Sequence, residues 1–238
     1  MKKAIIVGAT SGIGRSLAKL LVENNYKVGI TGRRSYLLEQ IKTENPDSYY
    51  IKTFDITQTQ SIENHLNELT QELDGLDLLV ISSGTGDINI RLDFEIEKCT
   101  IDTNVSGFTA IADWAFNYFR KQKHGQLVGI SSIAGLRGNR QAPSYSATKD
   151  YQITYLEGLR LKAVKTALPI FITDIRPGFV DTEMAKGEGL FWVASVDKAA
   201  KQIYKAIQCK RKIVYVTKRW RWIACLMKHA PNWIFERF

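Results

Sequence analysis

The sequence predicts an α/β fold, a doubly wound parallel sheet of about seven strands with helices on both faces. Three observations predict it. Apolar, β-branched runs of strand length recur seven times along the 238 residues. Most are nearly continuous, as expected of strands buried on both faces. Stretches of helical period fall between them, and regular strand–helix alternation implies right-handed crossovers.

The expected strands are 4–7, 27–31, 49–54, 76–81, 126–130, 170–175 and 213–216. Helical spacing appears at Leu17, Leu20 and Leu21, and at Ile62, Leu66, Leu69 and Leu73. It continues at Phe108, Ala112, Ala115 and Phe119, and at Leu156, Leu159 and Ala163. No Pro/Gly/Ser-rich linker, low-complexity segment or repeat interrupts the pattern, so one domain is expected: 1–217 as its body and 218–238 as a tail.

Composition narrows the function classes. Hydrophobic residues at 45% and charged residues at 24% exclude wholesale disorder. Cys99, Cys209 and Cys225 are odd in number and widely spaced, which argues against a disulfide scaffold or a cysteine zinc site. The apolar run Ala4–Val7 is too short for a signal core, and no uncharged apolar stretch reaches membrane-spanning length. A cytoplasmic protein is expected. The net charge of +9 is uneven: residues 209–238 hold eight Lys or Arg against one acid, Glu236. No nucleic-acid-binding motif accompanies this charge, so no nucleic-acid partner is expected.

The first strand runs into Gly8-Ala9-Thr10-Ser11-Gly12-Ile13-Gly14 and then a helix. Glycines let the backbone approach a pyrophosphate, and the helix N-terminus favours that anion. This strand–turn–helix arrangement predicts a Rossmann-type dinucleotide site. An NAD site usually has an acid at the end of the second strand. Here that strand ends Thr31-Gly32-Arg33-Arg34, without an acid. Arg33 and Arg34 suit a 2′-phosphate instead, so the expected cofactor is NADP(H).

Two features mark the centre of the chain. Ser131-Ser132 directly follows the strand 126–130, where ligands bind in open α/β sheets. Tyr145 and Lys149 are four residues apart on one helix face. A tyrosine hydroxyl becomes a useful acid–base group near neutral pH when a cation stabilises its phenolate, and Lys149 can supply that cation.

Together these residues resemble the short-chain dehydrogenase/reductase family, over roughly nine tenths of the chain from Lys3 to Val216. The resemblance implies catalytic roles for Asn104, Ser132, Tyr145 and Lys149, and it selects Ser132 over Ser131. It implies that Asp55 and Ile56 hold the adenine ring. Gly84, Pro177, Gly178, Val180 and Thr182 join the cofactor site, with Thr182 at the nicotinamide amide. Where the family commonly has Asn-Asn-Ala-Gly, this chain reads Ile81-Ser82-Ser83-Gly84, and Ser82 and Ser83 are expected to replace part of the lost bracing. Val7 stands where the family often has Thr.

The implied reaction is hydride transfer between nicotinamide and a carbonyl or alcohol carbon. Tyr145 is the expected acid/base, Lys149 lowers its pKa and binds the ribose, Ser132 bonds the substrate oxygen, and Asn104 holds a water linking Lys149 to solvent. No metal is needed; His65, His124 and His229 are isolated. Two other readings stay open: a non-catalytic NADP-sensing protein, and a peripheral membrane enzyme acting on lipid or steroid ketones.

The segment 180–193 is expected to close the substrate pocket, with Gly187 and Gly189 as hinges and Leu190, Phe191 and Trp192 touching an apolar ligand or packing on the body. A homo-oligomer, dimer or tetramer, is expected from Phe108, Trp114, Phe116, Tyr118, Phe119, Tyr151, Tyr155 and Leu156, too many apolar positions for one sheet face to cover. In the tail, 218–229 predicts a helix. Trp222, Leu226 and His229 form a stripe with Ile223 and Met227 beside them; Lys218, Arg219, Arg221 and Lys228 rim it, and Trp233, Ile234, Phe235 and Phe238 follow Pro231. Such a helix either packs on the protein or lies on an anionic membrane surface.

Overall fold

The structure is a computed structural model, and it describes residues 1–185, 191–231 and 233. A seven-stranded, all-parallel sheet runs in the order β3-β2-β1-β4-β5-β6-β7. Its strands are β1 (Lys2–Val7), β2 (Tyr26–Gly32), β3 (Tyr49–Thr53), β4 (Leu78–Ile81), β5 (Gly125–Ile130), β6 (Ile170–Pro177) and β7 (Ile213–Val216). The helices are α1 (Gly12–Glu23), α2 (Ser35–Glu44), α3 (Thr59–Glu72), α4 (Phe94–Ile101), α5 (Phe108–Gln122), α6 (Pro143–Thr166), α7 (Val196–Gln208) and α8 (Trp220–His229). A π-helical turn, Asp102–Gly107, joins α4 to α5. A single 3-10 turn, Ile133–Leu136, follows β5.

Alternation along each strand divides the core in two. Ala4 and Ile6 of β1 face Leu17 and Leu21 of α1, together with Ala199 and Ile203 of α7. Ile5 and Val7 face the opposite layer, with Leu66 and Leu69 of α3, Phe108 and Phe119 of α5 and Leu156 of α6. The inner strands are therefore covered on both sides, which is why their runs read as continuous apolar segments, while the edge strands β3 and β7 are only partly buried.

Strand β4 starts two residues later than expected. Asp77 ties the start of the strand to β1: its carboxylate accepts the Lys3 backbone N–H at 2.8 Å, and its own N–H donates to the Lys3 carbonyl at 2.9 Å. The rings that predicted self-association lie largely within the chain. Phe108, Phe116, Phe119 and Leu156 are core residues. Trp114 stacks on Tyr118 and donates to Asn67 at 2.9 Å. Tyr155 donates to Asp113 at 2.6 Å, and Tyr151 shares a bond with Thr109. α3, α5 and α6 share one face of the sheet, so these rings have neighbours that a single helix viewed alone does not reveal. The exposed apolar residues of α6 are instead Leu161 and Val164.

The tail helix begins at Trp220, and its buried face differs from the expected stripe. Trp220 and Ala224 are inside, while Trp222 is 79% and Leu226 63% exposed. Leu190, Gly187 and Gly189 of the expected lid, and Ile234, Phe235 and Phe238 of the tail, lie outside the described residues.

Candidate active site

The chain leaves β1 in one direction to β2 and β3, then returns to place β4 on the other side of β1. At that reversal the loops after β1 and β4 part, opening a crevice at the carboxyl ends of the strands. The glycine turn fills one side of it. Gly8 has φ +90°, and a Cβ there would approach the Ser83 backbone nitrogen to 2.5 Å. A Cβ on Gly14 would meet the Gly8 carbonyl oxygen at 2.0 Å. Only glycine permits this closeness, so the turn lies flat against the end of β4. Gly12, at φ +54°, faces Thr182 from the segment after β6.

Arg34 reaches back across this turn. Its guanidinium donates to Thr10 Oγ1 at 2.9 Å and to Ser11 Oγ at 2.8 Å, with Glu183 3.5 Å away. Arg33 is largely exposed and lies 3.7 Å from Asp55. Asp55 also accepts the Thr57 backbone N–H at 2.9 Å. A Cβ on Gly107 would meet the Ile56 carbonyl oxygen at 2.5 Å, so the π-helical turn sits against Ile56. The residues present suit a dinucleotide: the exposed Arg33 and half-buried Arg34 at the end of β2, a glycine turn at a helix start, and an unpartnered buried hydroxyl, Ser83 Oγ, beside that turn. Ser83 thus departs from the bracing role expected of it. The β4 end is held by backbone instead, with the Ser82 and Ser83 N–H groups donating to the Val7 carbonyl at 2.8 and 2.9 Å.

The second side of the crevice carries the titratable groups. Ser132 hydrogen-bonds Tyr145 and accepts the Ala134 N–H at 3.1 Å, which starts the 3-10 turn. Ser131 instead donates to Asp174 Oδ1 at 2.5 Å. Asp174 also takes Arg176 Nε at 2.6 Å, a fully buried pair under β5. Burial pushes the Tyr145 hydroxyl up, and the Ser132 bond opposes that. Lys149 is buried, and loss of solvent pushes its ammonium down to about 8, with Asp174 pulling the other way. Its Nζ is 5.8 Å from the centre of the Tyr145 ring. The ammonium lies over the ring, yet the Tyr145 hydroxyl is held up by burial and opposed only by the Ser132 bond, so the lowering expected from Lys149 does not appear.

Asn104 is fully buried on the π-helical turn. Its side chain accepts the Thr85 N–H at 2.9 Å and donates to the Thr85 carbonyl at 2.7 Å and to Thr148 Oγ1 at 3.1 Å. It thereby joins the loop after β4 to α6, one residue before Lys149. A Cβ on Gly84 would lie 3.3 Å from Asn104 Oδ1 and 3.4 Å from Lys149 Nζ. Asn104, the residue expected to hold a water toward Lys149, also has its backbone carbonyl engaged: it accepts the side-chain amide of Gln152 at 2.9 Å.

After β6, the Gly178 N–H donates to the Val216 carbonyl at 2.7 Å, and Val180 bridges Ala194. The face of Gly178 is covered by Trp220, whose indole a Cβ there would approach to 2.1 Å. Phe191 and Trp192 gather around Trp220 at 5.1 and 5.9 Å between ring centres. Among the described residues no group of three or more His, Cys, Asp or Glu is arranged to hold a metal.

Sequence reasoning brings Gly8–Gly14, Arg34, Ser132, Tyr145, Lys149, Asn104 and Thr182 into one crevice. It missed Gln152, the Asp174–Arg176 pair, and Gly86, where a Cβ would come within 2.1 Å of the Tyr145 ring. Gln152 had a readable signal: Tyr145, Lys149 and Gln152 are spaced 4 and 3, one stripe of a helix.

A parallel, doubly wound sheet with this crevice defines a dinucleotide-binding class of protein. The family model for short chain dehydrogenases matches residues 2–190. An oxidoreductase of Myxococcus xanthus named as uncharacterized is 34% identical over 188 residues, 77% of this chain and 74% of that protein. One from Staphylococcus aureus strain USA300, named likewise, is 32% identical over 76% of this chain and 79% of its own. Similar solved structures include ElxO with NADP bound, at TM-score 0.79 and 22% identity over 90% of this chain and 96% of that one. Another is an actinorhodin polyketide ketoreductase with NADPH, at TM-score 0.80 and 21% identity over 90% of this chain and 95% of its own. At that identity they show the fold. The protein belongs to the short-chain dehydrogenase family, a class of oxidoreductases.

Proposed function

We propose that this protein is an NADP(H)-dependent oxidoreductase that interconverts an apolar carbonyl compound and its alcohol. The observation that carries the reading is the meeting of Ser132, Tyr145 and Lys149 at the carboxyl end of β5, across the crevice from the glycine turn. Bound NADP(H) supplies the hydride. Tyr145 gives its hydroxyl proton to the substrate oxygen in reduction and takes it back in oxidation. The Ser132 hydroxyl donates to the same oxygen and orients it. Lys149 favours the phenolate form of Tyr145 when its ammonium is charged. Asn104 holds the loop after β4 against α6 and so fixes the distance between the two sides of the site. Arg33 and Arg34 hold the 2′-phosphate, Asp55 and Ile56 border the adenine, and Pro177, Gly178, Val180 and Thr182 lie on the nicotinamide side. The absence of an acid at the end of β2 supports NADP(H), as do the cofactors named for ElxO and the ketoreductase.

The test is NADPH oxidation across ketones, aldehydes, steroids and acyl ketones, with wild type and Tyr145→Phe compared. The variant should bind NADPH and lose roughly 10²–10⁴-fold in turnover. A Phe variant as active as wild type sinks the acid–base assignment. Tight NADPH binding with no turnover on any compound favours a non-catalytic sensor. Arg33→Ala with Arg34→Ala should weaken NADPH about one to two decades more than NADH, since each charge-assisted bond contributes about 1.5–3 kcal/mol. Equal losses would make these arginines structural.

One further reading concerns location. Trp222, Leu226 and Trp233 are exposed on or just beyond α8, with Lys218, Arg219, Arg221 and Lys228 also at the surface. This supports contact with an anionic membrane surface through the outer face of α8, while the inner face packs on the protein. No helix among the described residues is long and apolar enough to cross a membrane. Vesicles containing phosphatidylserine should retain the full chain at low salt and release it as salt rises, and Trp222→Ala with Leu226→Ala should abolish retention. Equal behaviour of variant and wild type ends this reading. For quaternary structure we propose a homo-oligomer that associates not through the rings first expected to drive it but through the exposed Leu161 and Val164 of α6. A purely monomeric sedimentation profile at micromolar concentration would remove it.

A further inference from the structure

We infer that Gln152 is a positioning residue of the proton-transfer centre, clamping the Lys149 ammonium to the backbone carbonyl of Asn104. The inference rests on the reading of Tyr145 and Lys149 as the acid–base pair. Gln152 is fully buried on α6, one turn beyond Lys149 and two beyond Tyr145. Its Oε1 accepts from Lys149 Nζ at 2.9 Å, and its Nε2 donates to the Asn104 carbonyl at 2.9 Å. The amide has only one workable orientation. An ammonium can only donate and a carbonyl can only accept, so oxygen must face Lys149 and nitrogen must face Asn104.

The clamp limits where the ammonium can go. Lys149 makes a second bond, to the Ile130 carbonyl at 3.1 Å, at the end of the strand that leads to Ser132. With two of its three N–H groups committed to neutral acceptors, one is left for a bound hydroxyl. Neutrality of the acceptors matters as much as their position. A carboxylate at position 152 would hold the ammonium equally well but cancel its field at Tyr145. The charged or titratable groups acting on Lys149 are few. Tyr145 lies on its own helix, and Asp174 acts from β6 while paired with Arg176. The loop after β4 offers Gly84, and the π-helical turn offers the uncharged Asn104. Gln152 thus supplies a bridge between Lys149 and Asn104 made of protein atoms.

Gln152→Glu and Gln152→Met test this. With a substrate from the carbonyl panel assayed as its alcohol, oxidation should rise with pH as Tyr145 loses its proton. In Gln152→Glu the midpoint of that rise should move up by about one pH unit or more. In Gln152→Met, kcat should fall roughly tenfold or more, with KM within about threefold. A second readout needs neither substrate nor cofactor. Urea unfolding of the wild type should strengthen as pH rises above about 8, where the folded protein's Lys149 gives up its proton. Gln152→Glu should flatten that gain by keeping Lys149 charged. Unmoved pH midpoints and an unchanged unfolding slope in both variants would overturn the clamp, leaving Gln152 a packing residue. Tyr145→Phe run beside them separates the two claims: if it retains turnover, the acid–base reading fails. If it is inactive while both Gln152 variants keep wild-type pH behaviour, only the clamp fails.

Discussion

Two adjacent serines directly follow β5, Ser132 in extended backbone, and their hydroxyls point to different tasks. Ser131 donates to the buried Asp174 and to the Ile175 carbonyl, at 2.5 and 3.1 Å. Ser132 bonds Tyr145 and starts the 3-10 turn. Strand alternation separates them: consecutive residues face opposite sides, so only one can look into the crevice. Ser131→Ala should therefore cost about 1–3 kcal/mol of stability, because a buried carboxylate loses a donor, with turnover of the folded protein little changed. Ser132→Ala should lose turnover by roughly a hundredfold and fold normally. Urea unfolding and steady-state kinetics on both variants check this; the reverse pattern would exchange the two roles. The sequence offered both serines, and the family resemblance selected the second. The reason for the choice, the Asp174–Arg176 pair lying behind Ser131, exists only once β5 and β6 are side by side.

Among the elements, α8 is the one whose buried face the periodicity left open. Its apolar residues run almost all round, so spacing alone did not say which face is buried. Arg137 decides. Its guanidinium donates to the Met227 carbonyl at 2.6 Å and the Ala230 carbonyl at 2.7 Å, satisfying helix-end groups that lack partners within the helix. Trp220 closes the other end against Gly178 and Phe179. Arg137→Ala should loosen α8 selectively. Hydrogen exchange at 221–229 should speed up by at least tenfold while β1 and β4 keep their protection. An equal acceleration everywhere would make Arg137 a support of the whole domain. Helix α7 is a contrasting case: Ala199, Ile203, Ala206 and Ile207 have helical spacing and line the core, in a stretch where no helical spacing is named above.

For the whole molecule, the buried Lys149 makes stability depend on pH. Its pKa is lowered to about 8 from the ordinary 10.5. Between those values the unfolded chain binds a proton that the folded one has released, so unfolding becomes harder as pH rises. Below about pH 8 the cost of the buried ammonium is fully present. Against Lys149→Met, the wild type should gain about 2–3 kcal/mol between pH 7.5 and 10, measured by urea unfolding of both proteins. No relative gain would mean that Lys149 keeps its proton throughout.

By itself the sequence determined the parallel α/β order, the glycine turn and the acid-free end of β2. It also determined the Tyr145–Lys149 stripe. Each of these is local, read from period, turn chemistry or spacing within one element. Tertiary structure alone decided what occupies Ser131 behind Ser132, which side of α8 is buried, and that Gln152 meets Asn104. Arg137 meeting Ala230 across 93 positions and Gln152 meeting Asn104 across 48 have no local trace. Such pairs form only because the sheet order brings distant elements together, and a periodic pattern carries no record of its neighbours in space.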